Sequence, residues 1–204
     1  MTITLRSTKG SALTYGEVDG NFTELDNRTA ERWQNLHGII NIPASNAPTE
    51  TTYKGIPLLE FSPTANQEVA VRFHLPHDFI AGTNILLHSH VVSQYASSGT
   101  IRWGFEYNHA GEWMTGDPSP PSAAHYFGAS TTVYGENEKT ALDQDLHRLV
   151  LTPAVTIAEL LPDDVILVRY FRDATHINDT YPDPVMLLYV DLYYRSQGFG
   201  SVSY

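Results

Sequence analysis

From residue 58 to residue 194 the chain is a succession of short apolar runs broken by Gly, Pro, Asn and Asp. Runs of strand length closed by turn residues leave little room for long helices and favour antiparallel sheets. The reading places strands at 58–61, 69–75, 84–92, 100–107, 148–151, 165–171 and 185–194, with a further short one at 39–42. Ser97-Ser98-Gly99 predicts a compact hairpin, and Pro76-His77-Asp78 and Pro162-Asp163-Asp164 mark turns. Residues 156–161 suggest one helical turn, and 196–204 an irregular tail. The expected fold is mainly β, an antiparallel β-sandwich or jelly roll preceded by an N-terminal arm with a short helix.

Three segments follow from composition: an arm at 1–36, a Pro/Ser/Asn/Thr-rich connector at 37–57, and the β domain at 58–204. At 204 residues the chain is long enough to bury a core without staples. It has no cysteine, which excludes disulfides, thiolate metal sites and Cys nucleophiles. A formal charge of −11 argues against binding a phosphate backbone as the main role. No secretory h-region is seen and no apolar run is long enough to span a bilayer, so neither export nor a membrane partner is expected.

The arm carries its own signals. Met1 to Leu5 alternates like a short strand. Thr14-Tyr15-Gly16-Glu17 is a capping box, in which hydroxyl and carboxylate satisfy the free amides of a helix start. Tyr15, Val18, Phe22 and Leu25 then fall on one helical stripe. Gly16 and Gly20 weaken the helix by roughly 1 kcal/mol each relative to Ala. A helix this short is marginal alone and is expected to order against a partner.

Lys9-Gly10, Leu13-Thr14, Glu17, Asp19, Asn21, Phe22 and Leu25 form a pattern that resembles a segment near the N-termini of tailed-bacteriophage virion proteins. A second set resembles a phage structural-protein domain: His88-Ser89-His90, residues 99–107, residues 168–173, Asp179-Thr180-Tyr181 and residues 190–194. The resemblance implies a virion accessory protein assembled in the host cytoplasm. Leu13, Thr14, Tyr15, Glu17, Val18, Asp19, Asn21, Phe22 and Leu25 would anchor it to the phage major capsid protein. The β domain would project as a homotrimer, in the manner of a capsid decoration (cement) or head-fibre protein. A tail fibre or adaptor that binds a host receptor such as a surface glycan is one alternative, and a cupin-like metal-dependent enzyme is the other.

Candidate chemistry is sparse. On a strand His88 and His90 share a face and can reach one metal. Gly82, five intervening residues and His88-x-His90 match the opening of the cupin motif. The acidic ligand is missing, with Gln94 nearest its place. Gly99 comes too early, and His176 lacks the frame of the second half. Two imidazoles without a carboxylate are an incomplete ligand set, so no metal and no cofactor are expected. A trimeric alternative would gather six imidazoles around a threefold axis. No Gly-x-Ser-x-Gly elbow appears, and no catalytic residue is expected.

Residues 108–129 read as a long loop whose Trp113, Tyr126 and Phe127 are candidates for receptor or subunit contact. Arg172-Asp173 suggests a local ion pair, and Asp163-Asp164 a solvated turn. Alternation puts Tyr189, Asp191 and Tyr193 on one face of the last strand, an expected interface. Val190, Leu192 and Tyr194 take the other.

Overall fold

The computed structural model describes residues 9–29, 32–111, 125–155, 157 and 160–197. Helix α1 (Tyr15–Thr29) precedes eleven described strands. They are β1 (Arg32–His37), β2 (Ile39–Asn41), β3 (Thr49–Tyr53), β4 (Ile56–Phe61), β5 (Glu68–His74), β6 (Leu86–Val92), β7 (Gly99–Ala110), β8 (Thr131–Lys139), β9 (Arg148–Leu151), β10 (Val165–Arg172) and β11 (Val185–Ser196). No described helix is long and apolar enough to cross a membrane. The strand expected at the extreme N-terminus and most of the C-terminal tail lie outside the described residues.

The strands form two antiparallel sheets packed as a sandwich. One runs β3-β4-β11-β6-β9, with β1 also paired to β11; the other runs β2-β5-β10-β7-β8. Period-two alternation drives the packing. In β5, Val69, Val71 and Phe73 are buried while Ala70, Arg72 and His74 are exposed. Phe61, Trp103, Phe105 and Tyr170 form the aromatic centre of the core. The Tyr170 hydroxyl crosses between sheets to donate to Ser89 Oγ at 2.9 Å.

Several expectations need correction. The arm and connector do not end where composition changes. β1 pairs with β11 along Arg32↔Ser196 to His37↔Asp191, β2 pairs with β5, and β3 pairs with β4. Residues 32–57 therefore contribute strands to both sheets. The β3–β4 turn is Lys54-Gly55, both at positive φ (49° and 86°), the primed geometry that matches the twist of a two-residue hairpin.

Ser97-Ser98-Gly99 is not a hairpin, because β6 and β7 belong to different sheets. The segment is a crossover pinned by buried Lys139, whose Nζ donates to the carbonyls of Tyr95 (2.5 Å) and Ser97 (3.3 Å). Gly99 sits at φ 154°, where a Cβ would come within 2.7 Å of the Thr180 carbonyl oxygen. A side chain there would collide with backbone that cannot yield.

Arg172 and Asp173 do not pair with each other, because neighbours at a strand end point to opposite sides. Arg172 bonds Asp179 through Nε (3.0 Å) and Nη2 (2.8 Å), while Asp173 takes Arg102 Nε at 3.1 Å. Asp164 is buried, not solvated. Its Oδ2 accepts the Leu161 amide at 2.9 Å and its carbonyl accepts the Leu75 amide at 2.9 Å, closing the turn. Burial raises its pKa. The long loop begins later than expected, since β7 stays paired to β10 through Ala110. The helical turn expected at 156–161 lies partly outside the described residues; within it the Leu160 amide donates to Ile157 at 3.2 Å.

Candidate functional site

Three places carry functional signals. The first is α1. Its capping box is formed: the Thr14 amide and hydroxyl donate to Glu17 Oε2 at 2.7 and 2.9 Å, and the Glu17 amide donates back to Thr14 Oγ1 at 3.3 Å. Lys9 closes on the same carboxylate. The Lys9 and Thr14 bonds hold Glu17 down to about 2, from the usual 4.5.

A depressed carboxylate contributes stability that is complete above its unfolded pKa and lost as pH falls towards its folded one. Amide protection across Tyr15–Val18 is therefore expected to hold from neutrality to about 4.5 and to decline between there and about 2. Amide exchange followed by NMR against pH checks this. Protection that declines near neutrality instead would contradict the cap.

Within the stripe of α1, Tyr15, Val18 and Phe22 are not buried. Tyr15 is 93% and Phe22 67% exposed. Leu13, Val18, Asn21 and Phe22 line a hollow of about 240 Å³. Asp19 and Asn21 both make interactions. The side chain of Leu25 lies outside the described residues. The helix thus presents Tyr15 and Phe22 to solvent, whereas the core holds the large side chains of the strands.

The second place is the outer face of the six-stranded sheet. Register puts His88 of β6 directly opposite Asp191 of β11, and Asp191 opposite His37 of β1. His90 lies beside Tyr189 in the same way. His88 Nε2 stands 3.6 Å, and His90 Nε2 3.5 Å, from the same Asp191 Oδ2. Both distances exceed a hydrogen bond to carboxylate, and neither Nε2 has another hydrogen-bond partner. His88 and Asp191 are fully buried and His90 nearly so.

The surrounding groups orient this cluster. His37 Nδ1 contacts Asp191 Oδ1 at 2.7 Å, and Asn35 Nδ2 donates to Asp191 Oδ2 at 3.1 Å. His90 Nδ1 contacts His147 Nε2 at 2.6 Å. The Tyr193 ring stacks on His88 at 4.0 Å, and Tyr189 lies against His90 at 4.2 Å. Burial lowers the pKa of His88, opposed in part by Asp191. Burial and then His88 lower His90 to about 4. In its neutral form each imidazole keeps a lone pair to offer a Lewis acid.

The carboxylate nearest both imidazoles is Asp191, which stands across the sheet, opposite His88 in register. Alternation had placed Tyr189, Asp191 and Tyr193 together, and the core holds Val190, Leu192 and Tyr194 as expected. The tyrosines of that face pack on histidines of their own chain.

The third place is the outer face of the five-stranded sheet. A groove of about 500 Å³ runs over it, walled by Arg72, Glu68, Glu106, Leu167, Arg169 and Phe127. Arg169 is tied to Glu106 (2.6 Å) and Glu68 (2.7 Å). Phe127 and Tyr126 are both exposed, but only Phe127 reaches the groove. Trp113 lies outside the described residues.

No protein-family model and no curated protein matches this chain. Solved structures do. Dimeric latent PorU from Porphyromonas gingivalis matches at a TM-score of 0.34 and 10% identity over 81% of this chain, which spans 13% of that one. TmCBM61 in complex with β-1,4-galactotriose matches at 0.29 and 10% identity, over 87% of this chain and 93% of that one. CBM27-1 from Caldicellulosiruptor saccharolyticus, in complex with mannohexaose, matches at 0.23 and 9% identity, over 78% and 96%.

Proposed function

We propose that this chain is a non-catalytic structural protein of a tailed-bacteriophage particle, anchored through α1 and displaying the β-sandwich outward. The observation that carries the reading is the capped helix whose Tyr15 and Phe22 face solvent. Those residues belong to the segment that resembles virion anchoring arms. Exposed aromatics on a marginal helix gain most by packing on a partner, because ordering costs are then offset by burial. The preferred occupant is the major capsid protein, with the sandwich as a homotrimeric decoration or head fibre. Many copies would then strengthen the shell through avidity.

The test is deletion of residues 1–29. The cut must stop there, because β1 begins at Arg32 and belongs to the sheet. The truncated protein is expected to unfold at the temperature of the full chain and to lose binding to particles. A truncated protein that still decorates particles would overturn the anchor. Imaging of labelled protein then separates shell from tail: many copies across the capsid support decoration, and a few at the tail support a fibre or adaptor.

A second reading rests on the groove of the five-stranded sheet, with Phe127 at its wall. A concave face with an aromatic and paired charges suits a host-surface glycan. Glycan binding by the sandwich, lost on Phe127→Ala, would favour the tail-fibre alternative.

A further inference from the structure

We propose that His88, His90 and Asp191 form a binding site for one divalent first-row transition ion, with Zn(II) as the best fit. The three side chains offer donor atoms that all lie within 4.8 Å of one another. A tetrahedral ion with bonds of ~2.1 Å separates its ligands by ~3.4 Å along each edge. The two imidazole-to-carboxylate separations are 3.6 and 3.5 Å. That spacing is too long for hydrogen bonds and close to the edge of a coordination polyhedron. Two buried Nε2 atoms without hydrogen-bond partners, turned to one carboxylate oxygen, leave an unmet demand for a cation.

The outer contacts of His90 and Asp191 fit the same purpose, whereas His88 Nδ1 is buried without a hydrogen-bond partner. An imidazole that binds metal through Nε2 carries its proton on Nδ1 and needs an acceptor for it. His90 Nδ1 has one in His147 Nε2. His37 and Asn35 hold the Asp191 carboxylate in place. His147 and His37 are exposed, so an ion enters from their side. Three protein ligands leave a position for water or an outside donor. Two imidazoles and one carboxylate also suit Fe(II), whereas the affinity order of the divalent ions favours Zn(II). The bound ion would cross-link β6 and β11, two strands distant in sequence.

The experiment uses the full chain, free of any affinity tag, stripped with a chelator and titrated calorimetrically with Zn(II), Co(II) and anaerobic Fe(II). One equivalent per chain is expected, with Co(II) developing the intense visible bands of a low-symmetry four-coordinate site. His90→Gln is expected to lower Zn(II) affinity at least about 100-fold, and His37→Ala, which touches no ion, by about 10–100-fold. Asp191→Asn serves as a second ligand variant, and circular dichroism of each metal-free variant confirms its fold. Zn(II) should raise the unfolding temperature of the natural protein and not that of His90→Gln. Failure to bind any of the three ions, or equal Zn(II) binding by folded His90→Gln and the natural protein, overturns the site.

Discussion

Arg172→Ala is expected to destabilise the sandwich by about 3–5 kcal/mol, the cost of breaking a buried ion pair and stranding its partner. Both members of the Arg172–Asp179 pair are fully buried. The guanidinium also donates to the carbonyls of Asp183 (2.9 Å) and Tyr181 (2.6 Å). Asp179 Oδ2 accepts the Arg102 amide at 3.1 Å as well. The pair therefore ties the end of β10, the 179–183 segment and β7 into one network.

Removing the cation leaves a buried carboxylate with only the Arg102 amide as donor, and takes the guanidinium donors from two carbonyls. Asp179→Asn should also be costly, because it leaves the guanidinium uncompensated. Arg172→Met with Asp179→Leu should recover part of the loss, since no charge is then left alone. The two carbonyls still lack those donors, so recovery is incomplete. Urea unfolding of the three variants measures the differences. A loss within about 1 kcal/mol for Arg172→Ala, the range of a surface pair, would mean that the network is solvated in solution.

Trp103→Ala is expected to cost a similar ~3–5 kcal/mol through a different mechanism, the cavity left by a large core ring. Trp103 is fully buried. It meets Phe61 edge-on at 5.3 Å and stacks on Tyr170 at 4.9 Å. Phe61 lies in the six-stranded sheet and Tyr170 in the other, so this ring cements the two layers. Trp103→Phe should cost clearly less. It keeps a ring in the stack and removes an indole N–H that is buried without a partner. Equal losses for Ala and Phe would contradict an account based on ring packing. Against a domain stability of about 5–15 kcal/mol, either large loss leaves little margin.

Legibility varied with the kind of signal. β5 and β10 up to Tyr170 were readable because buried apolar positions recur every second residue, and β6, β9 and β11 because they are apolar-rich runs of strand length, although β6 and β11 also bury His88, Ser89 and Asp191. β8 was not, although it also alternates: its buried positions include Gly135, Asn137 and Lys139. Those polar groups are tolerated inside only because Arg148 Nε donates to Asn137 at 2.8 Å and backbone carbonyls receive Lys139. Such partners are invisible in the local pattern. β1 and β3 were missed because each lies at one side of its sheet with few buried side chains.

The crossover at 93–98 looked like a hairpin because turn residues announce a change of direction, not the sheet to which the chain goes next. The capping box of α1 was legible in full, since its bonds span three residues.

The same boundary runs through the His-x-His motif. Sequence by itself determined that His88 and His90 share a face, because strand geometry is local and has period two. It equally determined that Tyr189, Asp191 and Tyr193 share one. Only the tertiary structure decided that these faces are the same and that Asp191 stands opposite His88. That is a matter of pairing register between strands about a hundred residues apart, set by how both sheets close over the core.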